Sequence, residues 1–309
     1  MTGAMIPKGA DTVIMQEQVR VEGERIHIGT DHRPGSNVRR AGEDMASGEV
    51  VLRPGHRITP ADLGVLASLG LGEVRVRRRL RVAFFSTGDE LRSVGEPLLE
   101  GQIYDSNRYT LHGMLTRLGV ELLDLGVIRD DRAAIQQAFR DASAMADVVI
   151  TSGGVSVGEA DFVKQTLDEL GQVDFWRIAM KPGKPLAFGR LGKAIFFGLP
   201  GNPVSVMATF YQFVQPALRA MTGQSPVPAM TLRLPTETPL KKAPGRTDFQ
   251  RGRLVRGDDG QLRVNSTGLQ GSHVLTSMSQ ADCFIILPAD CAGVAAGELV
   301  EVQPFSGLI

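Results

Sequence analysis

The chain has 309 residues, with 34 Lys plus Arg against 34 Asp plus Glu and so a formal net charge of zero. That length admits two or three domains with sizeable cores, and the balanced charge argues against a nucleic-acid binder, whose surface is basic. No signal-peptide pattern and no bilayer-spanning apolar run is present, so no membrane partner is expected and a cytoplasmic location is. The two cysteines, Cys283 and Cys291, lack metal-ligand spacing, and Cys283 opens the apolar run "CFIIL", which suggests a buried, reduced thiol.

Taken in order, "TVIMQEQVRV" and "RIHIG" flank "EGE" and predict a hairpin. "SNVRRAGEDMASGEVVLRPG" reads as loops and short strands. "TPADLGVLASLG" carries helix signals, with Thr59 as N-cap, Pro60 at the first position and Gly70 near the stop. "EVRVRRRLR" reads as a connector strand. From Leu80 onward strands alternate with helices. "RVAFFSTG" is a strand, "SNRYTLHGMLTRLG" a helix capped by Ser106 and stopped by Gly119, "VELLDLGVI" a strand and "DDRAAIQQAFRDASA" a helix. "DVVIT" then forms a strand, "ADFVKQTLDELG" a helix, and "VDFWRIAM", "PLAFGR" and "AIFFGL" strands before the helix "NPVSVMATFYQFVQPALRAMTG". This alternation implies a parallel sheet with right-handed crossovers. After the linker "GQSPVPAM" only short strands and turns follow, including the hairpin signal "RLVRGDDGQLRV". The expected architecture is a β-rich arm over 1–47, a connector with a helix over 48–78, a doubly wound, mostly parallel α/β domain over 79–224, and a small all-β domain over 228–309.

Ligands of open α/β sheets bind at the carboxyl ends of the strands. Five consecutive strand ends here carry chemistry: "TGDE" at 87–90, "RDD" at 129–131, "TSGGVSVGEAD" at 151–161, "KPGKP" at 181–185 and "LPGNPVS" at 199–205. Gly153 and Gly154 allow close approach of backbone to a phosphate, with Ser152 and Ser156 as hydroxyl donors; a plain strand-to-helix turn would use the same glycines. Glu90, Asp130 and Asp161 stand at three different ends. Carboxylates in a phosphate crevice repel it unless a cation intervenes, and Mg²⁺ suits that setting. Asp130 also fits a helix N-cap and Asp161 a first helical turn, whereas Glu90 has no evident structural role. Lys181 and Lys184, stiffened by two prolines, suit an oxyanion. In "LPGNPVS", Asn202 and Pro203 read as a helix start, which leaves its amino end and Ser205 toward a ligand.

These motifs, in this order, resemble the molybdopterin molybdenumtransferase family, the MoeA and gephyrin E-domain type. The resemblance spans nearly the whole chain through "MTGA", "NVRRAGED", "FSTGDE", "IYDSN", "IRDD", "SGGVSVGEAD", "KPGKP", "GLPGNPVS", "GRTDFQRG" and "GSH". It implies insertion of molybdate into adenylylated molybdopterin with release of AMP, a divalent cation (usually Mg²⁺), a homodimer, and possible contact with the molybdopterin adenylyltransferase. Carried over by residue, it makes Glu90, Asp130, Asp161, Lys181 and Lys184 functional. It places Arg251 and Ser272 of the β domain toward the site, and Thr2 and Asp44 in the arm. Arg177 stands where some relatives carry lysine. The resemblance also implies a further arm segment before "MTGA", with a motif of the type "NSAMDGYA" that this chain does not contain. Residues 1–50 are therefore expected to expose apolar surface. The alternative activity is molybdopterin adenylyltransfer, disfavoured by the flanking domains; a non-catalytic binding or scaffold chain is the other alternative.

Overall fold

The structure, a computed structural model, describes residues 2–153 and 162–307. The chain divides into two compact units, Met1–His56 and Arg57–Ile309. In the first, a 3₁₀ turn at Gln16–Gln18 leads into a hairpin of β1 (Val19–Glu22) and β2 (Arg25–Ile28), with Val19 opposite Ile28 and a two-residue connection. The expected apolar exposure is present. None of residues 2–50 is buried, and Val21, Ile26 and Ile28 are more than half exposed. A lone two-stranded hairpin buries too little to be stable by itself in water.

The second unit opens with α1 (Pro60–Ser68). Thr59 caps it through a capping box in which Asp62 takes the usual Glu position, and Pro60 fills the first turn. Residues 71–80 form no strand, against expectation. Their alternating arginines give the strand period, but among the described residues no neighbouring strand supplies a ladder, and Val74 and Val76 stay exposed. The segment is instead anchored at its end. Arg78 grips Asp147 in a two-pronged ion pair at 2.7 and 2.6 Å, and the Arg81 N–H donates to the same carboxylate.

The central domain runs β3 (Arg81–Thr87), β4 (Leu91–Arg92), β5 (Ile103–Tyr104), α2 (Ser106–Leu118), β6 (Glu121–Ile128), α3 (Arg132–Met145), β7 (Val148–Ser152) and α4 (Phe162–Leu170). It continues through β8 (Gly171–Arg177), β9 (Met180–Lys181), β10 (Pro185–Leu191), β11 (Ala194–Leu199), α5 (Pro203–Thr209), a π turn (Phe210–Val214) and α6 (Gln215–Met221). Six strands form one sheet in the order β6-β3-β7-β11-β10-β8. β6, β3, β7 and β11 are mutually parallel. β10 is antiparallel to both β11 and β8, because β8, β10 and β11 follow one another without an intervening crossover helix. These are the three consecutive strands read from the sequence, and the sheet is mostly parallel, as expected.

Both sheet faces are covered, so β3 and β7 carry the apolar runs 82–85 and 148–150 and are buried over 82–87 and 148–152. On one face α3 presents Ile135, Ala138, Phe139 and Ala142 at helical spacing; the Phe85, Phe139 and Phe196 rings meet edge-to-face at 5.2 and 5.6 Å. The other face is covered by α2, α5 and the π turn, and its core runs on into Met278 and Phe284 of the last domain.

That domain holds β12 (Leu232–Pro235), β13 (Thr247–Arg256), β14 (Leu262–Ser266), α7 (Leu275–Ser279), β15 (Cys283–Leu287) and β16 (Leu299–Pro304), in sheet order β12-β16-β15-β13-β14. The short α7 interrupts what reads from sequence as strands and turns only. β9 adds to this sheet, parallel to β13, with Met180 opposite Thr247 and Lys181 opposite Asp248. The lysine loop of the α/β domain is thus sewn into the β domain.

Candidate active site

Because β8 runs with β3, β6, β7 and β11, five strands deliver their carboxyl ends to one end of the sheet. The five loops that carry glycine, carboxylate or lysine in the sequence all leave from that end. They are pinned to one another there. The Gly153 N–H donates to the Leu199 carbonyl at 3.2 Å. Gly153 has φ +89°, and a Cβ there would lie 2.8 Å from the Thr87 carbonyl oxygen, so only glycine lets β7 end this close to β3.

Asn107, in the first turn of α2, bridges two loops. Its amide donates to Ser152 Oγ at 2.8 Å and to the Gly201 carbonyl at 2.7 Å. The helix itself is capped by Asp105 rather than the expected Ser106; the Asp105 carboxylate accepts the Arg108 N–H. The hydroxyls of Ser86, Thr87 and Thr151 are buried at this end with no hydrogen-bond partner among the described residues. Ser205 is buried in α5. The Ser272 carbonyl accepts the Val204 N–H at 3.1 Å, which docks the "GSH" loop on the start of α5. Asn202 stands at the cap position of α5 but makes no side-chain cap, so the helix-start reading does not account for it.

Acidic groups gather on one flank. The Asp89 carboxylate accepts the Asp130 N–H at 3.1 Å. Partial burial, then the charges of Asp89 and Glu90, push the Asp130 carboxyl above the ordinary aspartate range. Asp130 is not a helix cap, since Asp131 fills that role by accepting the Ala134 N–H. Among the described residues no group of three or more His, Cys, Asp or Glu is set up to hold a metal. The convergence of Asp89, Glu90 and Asp130 is nonetheless the electrostatic setting that a cation relieves, and Mg²⁺ needs only one or two protein carboxylates when phosphate oxygens complete its shell.

Basic groups gather on the other flank. Arg177, the last residue of β8, and Lys181 and Lys184 in the loop beyond it are exposed. The Ile178 N–H closes that loop on the Lys184 carbonyl at 2.8 Å. Gly183 sits at φ +103°, and a Cβ there would meet Thr209 Oγ1 at 2.7 Å. Lys181 lies 3.5 Å from the carboxylate of Asp248 in β13. From β3 to β8 is four strand spacings, roughly 19 Å. The carboxyl end of the sheet, where ligands of open α/β sheets bind, therefore has an acidic flank, a hydroxyl-and-amide middle and a basic flank.

Arg251 departs from expectation. Its side chain is fully buried, donating from Nε to Ser277 Oγ at 3.0 Å and from its guanidinium to the carbonyls of Gly271 and Phe249. Burial, only partly offset by Asp248, brings its pKa down to about 10. In this structure it braces the loop carrying Ser272 instead of facing a ligand directly. Thr2 and Asp44 belong to the first unit and are exposed there. Gly154, Ser156 and Asp161 lie outside the described residues. Sequence reasoning missed Asn107 and Asp89, although both stand in quoted motifs, "IYDSN" and "TGDE"; an amide in the first turn of a helix and a second carboxylate beside Glu90 were the available signals.

An α/β domain with this crevice, extended by a β domain that shares its core, defines a molybdopterin-binding class of protein: residues 83–220 match the family described as "Probable molybdopterin binding domain". Residues 1–70 match the MoeA N-terminal region (domain I and II), and residues 233–305 the MoeA C-terminal region (domain IV). Over 312 residues the chain is 51% identical to a molybdopterin molybdenumtransferase of Haemophilus influenzae, covering 100% of this chain and 77% of that one. A Nostoc protein of the same name is 37% identical, with 97% and 70% covered. A solved MoeA protein from Pyrococcus horikoshii superposes with a TM-score of 0.80 at 30% identity, covering 98% of this chain and 74% of that one. The chain belongs to the molybdopterin molybdenumtransferase (MoeA) family.

Proposed function

We propose that the crevice binds adenylylated molybdopterin together with molybdate, and that molybdenum insertion there is accompanied by release of AMP. The carrying observation is the charge layout: an acidic flank and a basic flank roughly 19 Å apart at one sheet end, with buried hydroxyls and the Asn107 bridge between them. A long ligand with phosphates near its middle suits that layout, and molybdate, a tetrahedral dianion, suits Lys181, Lys184 and Arg177. Ser152, Ser205 and Ser272 offer further donors near the middle. One or two of Asp89, Glu90 and Asp130 would hold Mg²⁺ together with phosphate oxygens; Asp161, the third carboxylate expected from sequence, lies outside the described residues. When bound, it neutralises phosphate charge. The chain's own residues do the rest: Asn107 fixes the crevice loops, and the lysine loop presents ammonium groups to the oxyanion.

The fuller reading includes a cytoplasmic homodimer that takes its adenylylated substrate from the molybdopterin adenylyltransferase. Support for self-association is the exposed apolar row Leu63, Leu69, Leu71, Val74 and Val76 on and after α1. Among the described residues no helix is long and apolar enough to cross a membrane, and both cysteines are free. Incubation with molybdopterin and ATP tests the assignment against adenylyltransfer. No adenylylated product is expected, and its accumulation without molybdate would overturn the proposal.

A further inference from the structure

With Lys181 read as an anion donor, we propose that Asp248 of the β domain is its positioning residue, holding the lysine ammonium at the crevice; the role rests on that reading. Asp248 is 2% exposed and stands directly opposite Lys181 in the β9–β13 ladder. Its Oδ2 lies 3.5 Å from Lys181 Nζ and accepts from Gln250 Nε2 at 3.2 Å. The same Gln250 nitrogen donates to the Lys241 carbonyl at 2.9 Å, which fixes the amide. Asp248 Oδ1 has no partner among the described residues.

A carboxylate this deeply buried is costly to keep charged, and apolar residues of similar volume often serve stability as well or better. What Asp248 adds is orientation. The Lys181 side chain is 48% exposed and, untethered, would sample many rotamers. The contact at 3.5 Å is longer than a charge-assisted hydrogen bond of about 2.7–2.9 Å. The ammonium is therefore steered without its donors being consumed, and they remain available for an oxyanion. Asp248 does this from the neighbouring domain, so the seating of the β domain sets where the lysine points.

Charge and positioning predict opposite signs. Neutralising a carboxylate beside an anion site tightens anion binding if charge alone matters, and loosens it if the carboxylate places the lysine. Molybdate titrated calorimetrically into the parent, Asp248→Asn, Lys181→Ala and the double variant separates the two. Asp248→Asn is expected to weaken binding about three- to thirtyfold, in the range of pairwise couplings. Lys181→Ala should weaken it at least as much, and the double variant no more than Lys181→Ala. Tighter or unchanged binding in Asp248→Asn, or losses that multiply in the double variant, overturns the role of Asp248 alone. A parent that binds no molybdate, or Lys181→Ala with parental affinity, overturns the reading of Lys181 and the positioning role with it. Should Asp248→Asn fail to fold, Gln250→Met replaces it. A smaller loss that disappears in the Lys181→Ala background is expected, and a loss independent of Lys181 counts against the idea.

Discussion

Gly183→Ala probes whether the lysine loop is held where the structure has it. At φ +103° a side chain is strained, at a cost of about 1–3 kcal/mol. The added methyl would also lie 2.7 Å from Thr209 Oγ1, inside a fully buried helix position, and forcing it in costs about another 1–3 kcal/mol. Together about 2–6 kcal/mol is removed from a net stability of roughly 5–15 kcal/mol, which corresponds to a Tm drop of roughly 4–20 °C. Thr209→Ala deletes the obstructing oxygen, which has no hydrogen-bond partner among the described residues. Repeating the glycine change in that background should recover the steric half and leave the backbone half. Scanning calorimetry of the four proteins measures both parts. A Gly183→Ala protein as stable as the parent, or one equally destabilised in both backgrounds, would refute the close approach of loop and helix.

Asn107→Ala removes two hydrogen bonds that tie loops at the crevice, at about 1 kcal/mol each, so thermal denaturation should show a loss of about 2 kcal/mol. Asp130→Asn should raise Tm slightly without Mg²⁺ at neutral pH. The raised carboxyl pKa means that its charged form costs stability above that pKa, a cost relieved as pH falls through it. The same variant should need more Mg²⁺ for AMP release. Asp147→Asn should act with the opposite sign. The hydrogen bond from Arg78 holds that carboxyl below its ordinary range, so its stabilisation is present above the ordinary aspartate pKa and lost as pH falls through the folded one. Urea titrations at neutral and acidic pH should show the variant weaker at pH 7 and the difference closing in acid.

The α/β architecture was legible because its strongest signals are local. Buried strands such as "RVAFFST" and "DVVIT" have the unbroken apolar centres "VAFF" and "VVI", and α3 repeats its apolar residues at helical spacing. The five strand ends were legible for the same reason, since glycine, carboxylate and lysine stand in short motifs. What escaped depends on distant pairing. Nothing local in "EVRVRRRLR" says that no partner strand is present among the described residues. Caps moved by one residue, from Ser106 to Asp105 and from Asp130 to Asp131, because neighbouring polar residues all satisfy the cap chemistry. Arg251 was expected toward the site only because the family resemblance places it there; the packing of the β domain shows it enclosed by its own loop. The pairing of Lys181 with Asp248, 67 positions apart, is likewise invisible until β9 joins β13.

The central claim, that one crevice carries molybdenum insertion into an adenylylated pterin, is tested most directly by AMP release. Adenylylated molybdopterin is incubated with the protein and Mg²⁺, with and without molybdate, and AMP is quantified chromatographically. The account predicts AMP that appears with molybdate, in proportion to molybdopterin consumed, and a molybdate requirement raised roughly ten- to hundredfold by Lys184→Ala, the loss of one charged contact worth about 1.5–3 kcal/mol. AMP release that ignores molybdate, or a Lys184→Ala protein with the parent's molybdate dependence, would contradict it.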